Sequence, residues 1–301
     1  MSLGPPALIP AEVRSRLRSL VLSARRASGG QGIGLHASRS RGAGLEFAQY
    51  RAYEPGDDLR QVDWKLYARS DRFFVREAER ESPLTLWLLL DASASAAQAD
   101  QRRPGHTRLD AIKTLAACAA EVALRQGDRF GLVAVRGDGL ALLPAAAGPR
   151  QRDRLWLALQ ALQAQGGWPP AEVLRPVWER IAAHDLVLAL GDGFDDGALD
   201  LLERLAGARR EVLQLQVLCC DERDFPFAGS HRFVDPETGE AVPGDGAAMR
   251  ADYLRRFDAA QRARRARLQA AGIRHATTWL DQAPDAALRR LFGGGEGPSP
   301  A

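Results

Sequence analysis

The residues best suited to chemistry stand where two apolar runs end. Leu84–Leu90 is followed by Asp91, with Ser93 and Ser95 at the next alternate positions. Leu186–Leu190 is followed by "GDGFDD", which places Asp192 just past the run. In an extended turn alternate residues point to one side, so Asp91, Ser93 and Ser95 can aim three oxygens at one point. Hard oxygen donors of this kind suit Mg²⁺ or Mn²⁺, which keep waters and take one or two carboxylates. Asp192, from a different strand, can supply the second carboxylate. The competing reading is structural, because Asp and Ser after a strand are also preferred N-caps of the next helix.

The elements that must position these residues follow from the apolar periodicity. Strands are expected at 84–90, 130–135, 186–190 and 212–219, with a weaker one at 275–280. Helices are expected between them at 107–125, 150–164, 171–183, 196–207 and 248–271. Strands alternating with helices predict a mostly parallel α/β sheet flanked by helices. In such sheets ligands bind at the carboxyl ends of the strands, where Asp91 and Asp192 both fall. In the 248–271 helix the face made by Tyr253, Leu254, Phe257, Ala260, Leu268 and Ala271 is interrupted by Arg264. Residues 222–247 read as a polar, Pro/Gly-rich insertion. Upstream, residues 10–27 predict an amphipathic helix through Val13, Leu17, Leu20, Val21 and Ala24, and residues 29–44 a Gly-rich loop or sheet edge. Residues 45–82 mix charge with Tyr50, Tyr53, Trp64, Phe73 and Phe74, aromatics that call for burial. The expected division is residues 1–82, the N-terminal helix with a charged and aromatic segment; 83–292, the α/β domain; and 293–301, a disordered tail.

Bulk composition excludes several classes. The formal net charge of the 301 residues is +3. Residues 1–80 hold 14 Lys/Arg against 9 Asp/Glu, and the remainder 27 against 29, too mixed in sign for a nucleic-acid surface. Cys118, Cys219 and Cys220 show neither zinc nor redox spacing and read as buried thiols. No run is long and apolar enough to span a membrane, and no signal peptide is legible, so a cytoplasmic location is expected. There is no Walker-type phosphate loop and no G-x-S-x-G elbow. His36, His106, His184, His231 and His275 are scattered without ligand spacing.

The D-x-S-x-S after an apolar strand resembles the metal-ion-dependent adhesion site of von Willebrand factor A domains. That resemblance implies a first loop carrying the aspartate and two serines, here Asp91, Ser93 and Ser95, and an aspartate after a later strand, here Asp192. It also implies a threonine from a middle loop. No Thr occurs between Thr114 and Thr238, and the expected middle loop, "LLPAAAGPRQ", offers only backbone and Gln151. The site is therefore read as incomplete.

The N-terminal block sharpens the resemblance. Gly34, His36, Ser38, Gly42, Gly44, Glu46, Phe47, Arg51, Tyr53, Gly56, Asp57, Asp58, Arg60, Asp63, Trp64, Ala68 and Arg69 resemble the signature of the domain-of-unknown-function-58 (DUF58) family. Glu222, Pro226, Phe227, Asp235, Glu237, Thr238 and Gly239 do so later in the chain. The resemblance covers roughly residues 10–292. It implies a von Willebrand factor A-like fold with an added N-terminal segment, and association with MoxR-type AAA+ ATPases. Read physically, Arg51, Arg60 and Arg69 among Asp57, Asp58 and Asp63, with Tyr53 and Trp64 beside them, make either a salt-bridged clasp or a partner-binding surface.

The expectation is a non-enzymatic adaptor that presents a metal-assisted face to a MoxR-type ATPase and an unidentified client protein, with no nucleic acid and no membrane span. Two alternatives stand beside it. One is a Mg²⁺-dependent phosphatase of haloacid-dehalogenase type with Asp91 as nucleophile, which lacks the acid wanted at Ser93. The other is a structural scaffold whose metal site has decayed.

Overall fold

A computed structural model of the chain describes residues 8–23, 47–54, 62–78, 84–137 and 139–293, with backbone only at 47–51 and 76–78. In chain order the elements are α1 (Ala11–Arg16), β1 (Phe47–Ala52), α2 (Trp64–Ser70), β2 (Phe74–Ala78), β3 (Thr85–Asp91), α3 (Arg108–Gln126), β4 (Arg129–Arg136), β5 (Gly139–Ala146), α4 (Pro149–Ala161), α5 (Arg175–Arg180), β6 (Leu186–Gly191), α6 (Asp196–Gly207), β7 (Glu211–Leu218), α7 (Cys220–Asp224), β8 (Ser230–Val234), β9 (Ala241–Asp245), α8 (Gly246–Ala270), β10 (Arg274–Trp279) and α9 (Pro284–Phe292). They form two units, one of residues 1–26 with 84–301 and one of residues 27–83.

The larger unit is the mostly parallel sheet flanked by helices that the sequence predicts, von Willebrand factor A-like as the resemblance implied. Its six strands run in the order β10-β7-β6-β3-β4-β5. Every neighbouring pair is parallel except β4 with β5. The two-residue period of a strand sorts its side chains onto two faces. Leu86, Leu88 and Leu90 join one core, with Phe130, Leu132, Leu188 and Leu215, under α3, α4 and α9. Trp87 and Leu89 join the other, with Val133, Val187, Val177, Ile181 and Leu205. With both faces covered, β3 and β6 read as unbroken apolar runs.

Three expectations change. The helix expected over 10–27 is α1 followed by a 3-10 turn at Leu17–Ser19. Its Val13 and Leu17 belong to the sheet's first core, so it groups with the α/β unit and not with the segment that follows. The stretch expected as the middle loop is largely β5, an antiparallel edge strand. It contains Pro144, tolerated at an edge where a missing N–H breaks no ladder. The polar, Pro/Gly-rich insertion expected at 222–247 gains elements that the sequence reading did not assign: α7 and then an antiparallel β8–β9 hairpin. No described helix is long and apolar enough to cross a membrane. The tail beyond Gly293 lies outside the described residues.

The smaller unit pairs β1 and β2 antiparallel. Asp63 caps α2 by accepting hydrogen bonds from the Lys65 and Leu66 amides at 2.9 and 3.0 Å. Phe73 stacks on Tyr67 with ring centroids 4.3 Å apart and meets Trp64 edge-on. The burial expected of Trp64 and Phe73 is not found: they remain 56% and 44% exposed.

Candidate functional site

β3 and β6 are parallel neighbours paired at Leu90 and Leu190, so the residues just beyond them emerge side by side. Gly191 makes this possible, because a Cβ there would stand 2.6 Å from the Asp91 Cβ. The two acids sit at one end of the sheet, as the patterning predicts.

The four residues read as a possible metal site converge. Asp91 Oδ1 accepts a hydrogen bond from the Ser93 amide at 2.9 Å, which folds the loop back on the strand end. The Ser93 and Ser95 hydroxyls are 2.9 Å apart. The Ser95 hydroxyl donates to Asp192 Oδ2 at 2.8 Å, and Asp192 Oδ1 accepts from the Phe194 amide at 3.1 Å. The capping alternative does not explain this loop. Ser93 precedes a 3-10 turn at Ala94–Ala97 without a side-chain cap bond, and α3 is capped by Thr107 through a capping box with Asp110. Capping does account for Asp195, which accepts from the Ala198 amide at the start of α6.

Asp192 is not free to act alone. Arg108, 1% exposed at the start of α3, places Nη1 2.6 Å from Asp192 Oδ2 and Nη2 2.6 Å from Glu222 Oε1. Burial by itself would lower the Arg108 guanidinium; Glu222 and Asp192 more than reverse that and hold it charged. Burial lifts the Glu222 carboxyl, partly offset by Arg108. Behind Asp192, its backbone carbonyl accepts from Gln216 Nε2 at 2.7 Å. Gln216 Oε1 in turn accepts from Arg264, which also bonds Gln214. The cation that interrupts the apolar face of α8 is thus buried in an amide network that steadies the Asp192 loop.

Asp91 differs from Asp192 in forming no ion pair among the described residues, and Arg108 is the least of the influences on it. Burial, then Asp192, pushes its carboxyl up from 3.8 to about 6. A divalent cation would reverse that cost, and the donors at hand are carboxylate and hydroxyl oxygens, so the residues fit Mg²⁺ or Mn²⁺. Among the described residues no group of three or more His, Cys, Asp or Glu side chains is placed to hold a metal. The candidate set therefore depends on its serines.

The loop beside Asp91 and Ser93 is not the one expected. Gln151 is buried and donates to the Phe130 and Pro144 carbonyls, a structural role. The segment alongside the first loop is instead the one after α4. Gln165 N bonds the Ala92 carbonyl at 2.9 Å and Ala94 N bonds the Gly166 carbonyl at 2.6 Å. Gly166, Gly167 and Trp168 stand there, and no side-chain hydroxyl among them. The space beside Gly167 is taken by Glu237 from the turn between β8 and β9: a Cβ on Gly167 would lie 3.1 Å from Glu237 Oε2. Burial lifts the Glu237 carboxyl, with Ser93 acting against the rise and Asp192 adding to it.

Of the residues read as a clasp or binding surface, Tyr53, Asp63, Trp64 and Arg69 are described in the smaller unit. Arg51 lies on β1, described there by its backbone alone, and Asp57, Asp58 and Arg60 lie outside the described residues. Sequence reasoning missed Arg108 and gave Glu237 no role. The alternating "HRFV" and "AVPGD" around the turn residues "DPETG" could have signalled the hairpin.

A mostly parallel sheet with a D-x-S-x-S loop at its carboxyl end defines a von Willebrand factor A-like domain. The model of the family described as "Protein of unknown function DUF58" matches residues 49–267, and the chain belongs to that family. Uncharacterized proteins of Mycobacterium tuberculosis (strain ATCC 25618 / H37Rv) and Mycobacterium bovis are each 27% identical over 249 residues, covering 78% of this chain and 76% of theirs. Among solved structures, BatB from Bacteroides thetaiotaomicron is 12% identical with a TM-score of 0.42, covering 70% of this chain and 97% of that one. An aerotolerance-related membrane protein from Bacteroides fragilis is 15% identical with a TM-score of 0.43, covering 69% and 96%. The SpRpn10 VWA domain is 12% identical with a TM-score of 0.41, covering 73% and 100%. Likenesses this distant say nothing of function.

Proposed function

We propose that this protein is a non-enzymatic interaction module whose face at Asp91, Ser93, Ser95 and Asp192 binds Mg²⁺ or Mn²⁺ and engages a MoxR-type AAA+ ATPase. The observation that carries the metal reading is the convergence of the two serine hydroxyls, 2.9 Å apart, at the end of a strand whose carboxylate forms no ion pair among the described residues. Asp91, Ser93 and Ser95 would hold the ion. Asp192 would act through Ser95, since its Oδ2 is engaged by both the Ser95 hydroxyl and Arg108. A bound cation supplies a fixed positive charge with a coordination position open to a partner's carboxylate. The ATPase is proposed on family membership and the resemblance, and the client protein follows from the ATPase's role in remodelling.

The phosphatase alternative is weaker, because Ser93 stands where that chemistry needs an acid. The scaffold alternative predicts partner binding that is indifferent to metal.

The test is capture of the ATPase from native lysate on the tagged protein, in Mg²⁺ and in chelator, with mass-spectrometric identification. The proposal expects an AAA+ ATPase retained in Mg²⁺, released by chelator, and lost in Asp91→Ala. Retention in both buffers supports the scaffold reading, and absence of the ATPase in both removes the partner assignment.

A further inference from the structure

A cavity of about 180 Å³ lies between the segment after α4 and the start of α6. Trp168, Pro169, Pro170 and Trp178 line it, with the buried Leu174. Both indoles pack on the second core yet stay half-buried. A drug-sized ligand takes about 300 Å³ or more, so this space suits one apolar side chain. The polar side chains with bonding capacity left at its wall are donors. Trp168 Nε1 is shielded from solvent and donates no hydrogen bond among the described residues, a costly state for a buried N–H. A Cβ on Gly197, which also lines the cavity, would stand 3.3 Å from that nitrogen, so the N–H edge lies at the α6 wall. Arg204 lies over the Trp178 ring at 5.2 Å and forms no ion pair among the described residues. The acceptors nearby are taken. Asp200 is held by Arg267 at 2.8 Å, and the Pro170 and Ala171 carbonyls accept from the Val173 and Leu174 amides.

We infer that this cavity takes a proline from an extended segment of a partner protein, with an acidic residue beside it reaching Arg204. The inference goes beyond the cation reading and stands without it. Donors with no free acceptor among them select a ligand that brings acceptors and no N–H, which among residues is proline. The lining fits as well, because proline-rich segments are already extended and dock against aromatic rings at low cost in conformational entropy. A carbonyl next to the proline ring accepts from Trp168 Nε1 after a slight turn of the indole. The neighbouring carboxylate meets a guanidinium that no acid among the described residues has claimed. Trp168 follows the Gly166–Gly167 stretch bonded to the first loop, so a partner seated here stands next to the face at Ser93.

The probes are the blocked peptides acetyl-Pro-Pro-Asp-Glu-amide and acetyl-Pro-Pro-Asn-Gln-amide, with acetyl-Ala-Ala-Asp-Glu-amide as the control. Each is titrated into the isotope-labelled full chain in chelator, so that the outcome does not depend on a cation at Asp91. The signal followed is the Trp168 indole N–H resonance, assigned by its loss in Trp168→Phe. The acidic proline peptide is expected to shift it saturably in the millimolar range. The neutral proline peptide should bind about threefold more weakly, the scale of an exposed ion pair, and Arg204→Gln should erase that difference. Trp168→Phe keeps an aromatic ring and loses the donor. It is expected to weaken the acidic peptide about fivefold, the scale of one hydrogen bond, as followed on the Trp178 indole. If Trp168→Phe fails to fold, Arg204→Gln, on the surface, still carries the test. No shift of the Trp168 resonance with either proline peptide, or an equal shift with the alanine peptide, would overturn the proline site. Equal binding of the acidic and neutral proline peptides would overturn the contact with Arg204.

Discussion

Arg108 Nη1 stands 2.6 Å from Asp192 Oδ2 in a setting where both side chains are almost wholly buried. The guanidinium links the acidic end of β6 to Glu222 at the start of the insertion, and so ties together the loops that shape the site. Removing one partner of a buried pair strands the remaining charges. Arg108→Ala is predicted to cost about 3–5 kcal/mol in denaturant unfolding. Arg108→Lys should rescue it poorly, because a single ammonium cannot span both carboxylates as a planar fork does. A loss under about 1 kcal/mol would show that the triad does not hold the loops.

Asp91 carries a charge that the metal-free fold does not welcome. Its carboxyl is pushed up to about 6 by burial and by Asp192, so ionising it near neutral pH opposes folding. Asp91→Asn keeps an oxygen for the Ser93 amide while deleting the charge. In chelator at pH 7 it is predicted to be about 1–3 kcal/mol more stable than the unaltered protein, by the usual conversion of a shift of this size. Mg²⁺ should raise the melting temperature of the unaltered protein and leave Asp91→Asn nearly unmoved. A destabilised Asp91→Asn in chelator would contradict this account of the site.

The strands that position the acids were legible because parallel strands covered on both faces are continuous apolar runs. Leu84–Leu90 and Leu186–Leu190 each lie within a residue of β3 and β6, and the helix expected at 196–207 is α6. What was not legible is long-range. Arg108 looks like any arginine at a helix start; its burial follows from where Asp192 and Glu222 arrive, 84 and 114 residues later. β5 was hidden by Pro144 and its alanines, which carry little strand propensity. The misplaced middle loop followed from that, since the segment beside Ser93 is set by backbone bonds from Gln165 and Ala94. Glu237 reads as an ordinary polar turn residue until Gly167 is seen to leave room for it.

His275, on β10, is held below the usual histidine range by burial, with Arg264 and Arg265 adding to the effect against a bond with the Ile273 carbonyl. A lowered folded value means that the native state binds fewer protons than the unfolded chain. The stability this gives is present above about pH 6.5, the ordinary value, and is lost as pH falls below it. His275→Gln should therefore flatten the decline in urea-unfolding stability between pH 7 and pH 5. An unchanged slope would place that decline elsewhere, His106 being the next candidate because burial lowers it too.

The site should not turn over phosphate esters. With Ser93 in place of an acid, p-nitrophenyl phosphate in Mg²⁺ is predicted to be hydrolysed no faster than the Asp91→Ala background. Turnover abolished by Asp91→Ala would restore the enzymatic reading.

The central claim is that Asp91, Ser93 and Ser95 hold a divalent ion. The most direct measurement is an anomalous difference map from crystals of the full chain grown with Mn²⁺. The account predicts one peak within coordination distance, about 2.1 Å as for Mg²⁺, of the Asp91 carboxylate and both serine hydroxyls. A map with no peak at Asp91, or with its only peak on surface carboxylates such as Asp200 and Glu203, would contradict it.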